Sequence, residues 1–360
     1  MIRTSELRNL ASYWTRYSYA RNWGIIETLR PNWKSILTGV FATFLLLIMA
    51  LSTASAEECK LASDMDAGTR SALDNTAQNL YQMAAGGNAN GMAQASIPGI
   101  AANVAAIQAA LNDHKADFGT SATVRNTYEL DAPGNGPIAN AEFFCGIFNS
   151  PQRVSFEVPN LPAGRYGLVI MDAHDGKEPM WVSFMLMQSG AQWQMAGFYP
   201  RPGSLLGHDG GWYLNQARTY KSKGELFNAW FYYSTGWDLS SPVPFMSTSG
   251  LDKLSQEVQD ARPKDLPTPD SPMKLAAGGK VESLTEMFAV PVTDGLALVV
   301  KYQSPDISNA GQTYQDNVAL ISALVGKYPQ FREAFTSIVA RAVAPSGQDY
   351  GTQLAMKDVK

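Results

Sequence analysis

The chain has little of what most often does chemistry. Its 360 residues include two cysteines and three histidines, and only 17% are charged. The net charge is −4 and no basic patch stands out, which excludes the footprint of a nucleic-acid binder. Only one long apolar run occurs, which excludes a polytopic membrane protein. Nucleophile and phosphate motifs are missing: there is no G-x-S-x-G elbow, no P-loop, and no G-x-G-x-x-G after a strand. No local signature pairs either cysteine with a histidine or asparagine for thiol catalysis. Hydrophobic residues make up 45%, an ordinary globular share that excludes disorder of the whole chain. The length suits two or three compact units.

The apolar run is Ile36 to Leu51, about 16 uncharged residues. Arg30 and Lys34 precede it and Ala54-Ser55-Ala56 follow it. Basic flank, apolar core and small-x-small site form the grammar of a secretory signal, with Ala54 and Ala56 at the processing site. The run is short for a membrane span of roughly 20 residues, which favours cleavage. The long stretch ahead of it has two explanations, a true start further downstream or an uncleaved signal-anchor. In both readings residues 57–360 lie outside the cytoplasm, because the positive flank stays inside. Residues 1–56 carry +4, which leaves −8 for residues 57–360. Cys59 and Cys145 both fall in the exported part, and an even count in an oxidising compartment predicts one disulfide.

Hydrophobic period divides the exported part. Residues 66–118 read as helices, with Leu73, Ala77, Leu80, Tyr81 and Ala84 on one face. Residues 119–200 switch to a period of two. Val124–Leu130, Val154–Val158, Tyr166–Met171, Trp181–Met187 and Gln192–Tyr199 are strand candidates separated by Gly and Pro turns. Trp181–Met187 is apolar on both faces, which predicts a strand covered on both sides. Residues 204–262 return to helix, with an aromatic-rich segment around Phe227 to Trp237. Four prolines over 263–272 predict an extended linker, and 273–360 reads as two hairpins around a helix. The units are therefore 1–56, 57–203, 204–262, a linker over 263–272, and 273–360, in an α+β fold.

Helices followed by antiparallel strands resemble the NTF2-like (cystatin-like) α+β cone over about 70–200. The closing hairpin Met187-Gln188-Ser189-Gly190-Ala191-Gln192-Trp193-Gln194-Met195-Ala196-Gly197-Phe198-Tyr199 carries the likeness: a glycine turn, then Trp, then a Gly-aromatic ending. The resemblance implies a cone-shaped cavity and leaves its use open, because that superfamily holds isomerases, dehydratases and adaptor modules alike. Ala217, Tyr220, Gly224, Ala229 and Tyr233 resemble one tetratricopeptide repeat. No second copy follows, since Leu254 and Val258 stand where the next Tyr and Gly belong, so a lone helical hairpin packed on a neighbour is expected.

Two His-Asp-Gly sequences carry what chemistry there is. Asp172 and His174 share a face if they lie on a strand, and His208 with Asp209 offers a second imidazole beside a carboxylate. Convergence of Asp172, His174 and His208 would make a two-histidine, one-carboxylate site. Asp-Gly is also ordinary turn chemistry, and solvated turn histidines are the commoner outcome. His114 sits at a polar helix end, where it favours the helix dipole. Tyr220, Trp230, Tyr233 and Trp237 are candidates to line a groove for a peptide, glycan or lipid, although such residues more often bury one domain against another. No cofactor or metal is expected. The expectation is an exported envelope protein that binds or scaffolds a protein, a peptide or a small molecule, and touches a membrane only through its N-terminal segment. The alternatives are an enzyme of the NTF2-like cavity and a membrane-anchored assembly factor.

Overall fold

The computed structural model describes residues 57–147, 150 and 152–360; the expected export segment with Ala54 and Ala56 lies outside them. The fold is α+β.

The N-terminal half begins with β1 (Glu58–Leu61) and four helices: α1 (Ala67–Ala85), α2 (Ala89–Gln94), α3 (Pro98–Ala101) and α4 (Val104–Asp113). Asp66 starts α1 by accepting from the Thr69 amide at 2.8 Å, which satisfies one of the first turn's orphan donors. Six strands follow: β2 (Thr123–Ala132), β3 (Ile138–Cys145), β4 (Val154–Leu161), β5 (Gly164–Ala173), β6 (Met180–Ser189) and β7 (Gln192–Pro202). They build an antiparallel sheet ordered β1-β2-β5-β6-β7, with β3 and β4 in a second sheet.

Strand alternation gives the large sheet two apolar faces. Val182, Phe184 and Leu186 pack under the helices with Leu73, Leu80, Met92 and Ile107. Met185, with Leu168 and Ile170 of β5, packs instead against Phe143 and Phe156 of the second sheet. The sheet is thus sandwiched between a helical layer and a smaller sheet, as the two apolar faces of β6 require. Gly167 lets α1 lie close, since a Cβ there would fall 2.1 Å from Leu73 Cδ2.

The other half holds β8 (Ser204–Leu205), β9 (His208–Asp209), α5 (Gly210–Ser222), α6 (Leu226–Ser240), β10 (Met246–Thr248) and α7 (Ser249–Asp260). The C-terminal sheet follows, ordered β11 (Met273–Ala277), β12 (Lys280–Val292), β13 (Gly295–Gln303), β14 (Ser337–Val343), β15 (Asp349–Ala355). Helix α8 (Ala310–Lys327) and the short α9 (Phe331–Ala334) connect β13 to β14, which pair in parallel. A parallel pair needs such a crossover, and it fuses the two expected hairpins into one sheet.

Three details differ from the sequence reading. Ile138–Cys145 is a strand, and its buried alternation Ala141, Phe143, Cys145 was masked by small side chains that mark a face weakly. Residues 204–262 are not purely helical, because β10 crosses back to pair with β4. The proline-rich stretch 263–272 is a strap rather than a free spacer: Pro263 and Pro267 are buried, Leu266 packs on the core, and Tyr328 donates to Asp265 at 2.7 Å. Helices α5 to α7 and the C-terminal sheet share one hydrophobic core.

Candidate functional site

The most concentrated chemistry lies at one end of the large sheet. Pairing sets Asp172 beside Trp181, and Trp181 beside Arg201, so the three side chains share a face. A bulge in β2 between Val124 and Asn126 brings Arg125 to the same row. Its guanidinium lies over the Trp181 ring, 4.7 Å from the centroid, and Nη1 donates to Asp172 Oδ2 at 3.2 Å. His174 follows the last residue of β5, with Nε2 3.9 Å from the same carboxylate oxygen. Arg201 donates to the Asp238 carbonyl of α6 at 3.3 Å, and Trp181 Nε1 to Leu239 O at 3.3 Å.

This is an open shelf. Asp172 is mostly covered, whereas the His174 side chain is 67% exposed. At 3.9 Å the imidazole and carboxylate are beyond hydrogen-bond range, and the guanidinium already occupies Asp172. The shelf offers a cation stacked on an indole and an accessible imidazole edge, which are groups that hold a polar or aromatic ligand. Next to it Asp175 accepts from the Thr120 amide at 3.0 Å and from its hydroxyl. The Thr120 hydroxyl bond, backed by backbone amides, holds the Asp175 carboxyl below its usual value.

His208 and Asp209 do not join this shelf in a metal centre. His208 stacks on Trp212 with centroids 3.8 Å apart and planes 7° apart. Asp209 caps α5, accepting from the Trp212 amide at 2.8 Å. Among the described residues no group of three or more His, Cys, Asp or Glu side chains could hold a metal ion, so the two-histidine, one-carboxylate arrangement is not assembled. Turn and cap chemistry won at 208–209, because an Asp before a helix finds free amides at once. His114 ends α4, with Nδ1 3.7 Å from Asp117.

The aromatic candidates are built into packing. Tyr220, Trp230 and Tyr233 are buried, and Trp237 packs partly buried against the same core. Tyr220 donates to Glu333 O at 3.1 Å and Tyr232 to Ala334 O at 2.9 Å, so both hydroxyls clamp the hairpin to the C-terminal sheet's connection. Phe227 and Phe231 meet Phe331 and Phe335 edge-on. Burial with Glu178 nearby pushes the Tyr213 hydroxyl up to about 12. These side chains pack the helical hairpin against the C-terminal sheet within one core.

Arg125, Trp181, Arg201 and Asp238 were missed by sequence reasoning. Arg125 and Trp181 lie in segments read as strands, but only strand register and a bulge bring them to Asp172. Cys59 and Cys145 are bonded, with Cα atoms 5.1 Å apart. The link joins β1 of the large sheet to β3 of the second. Among the described residues no helix is long and apolar enough to cross a membrane. No protein-family model matches the chain, and neither a curated protein nor a solved structure matches it.

Proposed function

We propose that this chain is an exported cell-envelope protein whose 57–360 region binds or scaffolds a partner without catalysing a reaction on it. The observation that carries the reading is the Cys59–Cys145 bond, a cross-link favoured in oxidising compartments and placed just beyond the small-residue site of the export segment. The engagement of the acid-base candidates supports a non-enzymatic role. Asp209 is a helix cap, His208 is stacked, and Asp172 is neutralised by Arg125. The Arg125–Trp181–His174 shelf is the proposed contact surface, suited to a polar or aromatic group on a protein, a peptide or a small molecule. Helices packed on an antiparallel sheet support an NTF2-like reading of the first unit, and the single helical hairpin supports a tetratricopeptide-like one.

The test is recovery of the protein from intact envelope with mild cross-linking, comparing the native chain with Arg125→Ala and Trp181→Ala. A partner or ligand recovered with the native chain and lost from both variants is the expected outcome. Equal recovery from all three would reject the shelf. Free thiols at both cysteines in the unreduced native protein would reject the oxidising compartment. A second reading, a membrane-anchored assembly factor, has the apolar run Ile36 to Leu51 retained as the anchor behind its basic flank.

A further inference from the structure

Five large hydrophobic side chains stand exposed among the described residues: Phe144, Ile147, Leu226, Val281 and Tyr314. The last three lie on separate elements. Phe144 (51% exposed) and Ile147 (75%) instead flank Cys145 at the end of β3. Gly146 between them has φ +84, a left-handed turn that glycine makes without strain and that carries Ile147 out of the strand.

The disulfide fixes this tip in relation to the export segment. Cys145 is fully buried and bonded to Cys59, so Phe144 and Ile147 sit beside β1, the first strand after the apolar run. Seven residues lie between Leu51 and Cys59, and the eight steps span at most about 28 Å. Any membrane that holds residues 36–51 is therefore within that reach of the tip.

We infer that Phe144 and Ile147 form an apolar toe that seats on the bilayer holding residues 36–51. The inference rests on the anchored reading above. Two side chains alone bind a membrane weakly, because each offers little apolar area. A short tether changes this, since it turns the contact into an intramolecular one at an effective concentration on the order of millimolar. The attraction is apolar rather than electrostatic: residues 57–360 carry −8, which anionic lipid repels. A bilayer of neutral phosphatidylcholine is therefore a sufficient partner, and added salt does not release the toe. A fixed toe beside a tether would also set the orientation of the body on the membrane.

The experiment uses the full chain reconstituted in phosphatidylcholine vesicles. A photoreactive phenylalanine analogue is placed at position 144, 147 or, as an exposed control, 281. After illumination, mass spectrometry reads both the adduct and the N-terminus. The expected result is lipid adducts at 144 and 147, well above those at 281, on a chain that retains residues 36–51. Lipid adducts no greater than at 281 on such a chain overturn the toe while leaving the anchor standing. Adducts to a second copy at 147 overturn it in favour of self-association. A chain from native membranes that begins at Glu57 removes the anchored reading, and the toe with it.

Discussion

Single residues decide where polar chemistry is absorbed by structure. Asp209 is the clearest case. Replacing it with Ala should lower stability by about 1 kcal/mol, the typical worth of a side-chain cap, with no change in partner binding. Urea unfolding of the variant measures this. Asp175 gives a pH-dependent test. Its carboxyl is held below the ordinary value of 3.8 by Thr120, so its contribution is complete above that value and is lost as pH falls through its own lower one. Asp175→Asn should therefore be less stable than the native chain at neutral pH, with the gap narrowing as acid is added below pH 3.8. Glu282 has the opposite sign. Burial raises its carboxyl from 4.5, so the charged form opposes folding at neutral pH. Glu282→Gln should raise the urea midpoint at neutral pH, and the gain should shrink as pH falls below the raised value and vanish below 4.5. At this scale the sequence was half legible. That Asp172 and His174 would sit together was readable from their spacing, but Arg125 and Trp181 were not. They lie on other strands, and register is a long-range property.

At the scale of elements, the main devices are the disulfide and the returning strand β10. The bond closes a separation of 86 residues and ties the edges of two sheets together. In the chain-entropy model a loop of that length contributes about 4–5 kcal/mol, so Cys59→Ser with Cys145→Ser should shift the urea midpoint down strongly while leaving the secondary structure by circular dichroism near native. Helix positions were legible because their apolar period and stops are local: Leu73, Ala77, Leu80 and Tyr81 face the core as spaced. The hairpin turns at Gly190 and Asp294-Gly295 were legible for the same reason. Strands β3 and β10 were not, because small residues in one and a three-residue length in the other leave almost no pattern.

The whole molecule is two halves linked by the returning strand β10, which pairs with β4. The first places a sheet between helices and a smaller sheet. The second has helices α5 to α7 and the C-terminal sheet around one core, with Phe227 and Phe231 against Phe331 and Phe335. Phe231→Ala should cost about 3–5 kcal/mol through loss of burial and the cavity left behind. Because the hairpin and the sheet share that core, calorimetry should show 204–360 melting as one unit, and a separate transition for 273–360 would contradict the shared core.

The sequence alone determined the α+β class, most element boundaries and the candidacy of the two cysteines. All of these are written in local composition and period. Tertiary structure alone decided which histidines stay apart, that the aromatic segment is buried in the core, and that a disulfide sets an exposed apolar tip beside β1. Those outcomes depend on strand register, on the crossover between β13 and β14, and on a strand returned from one half to the other. They are contacts between residues far apart in the chain, and no local pattern encodes them.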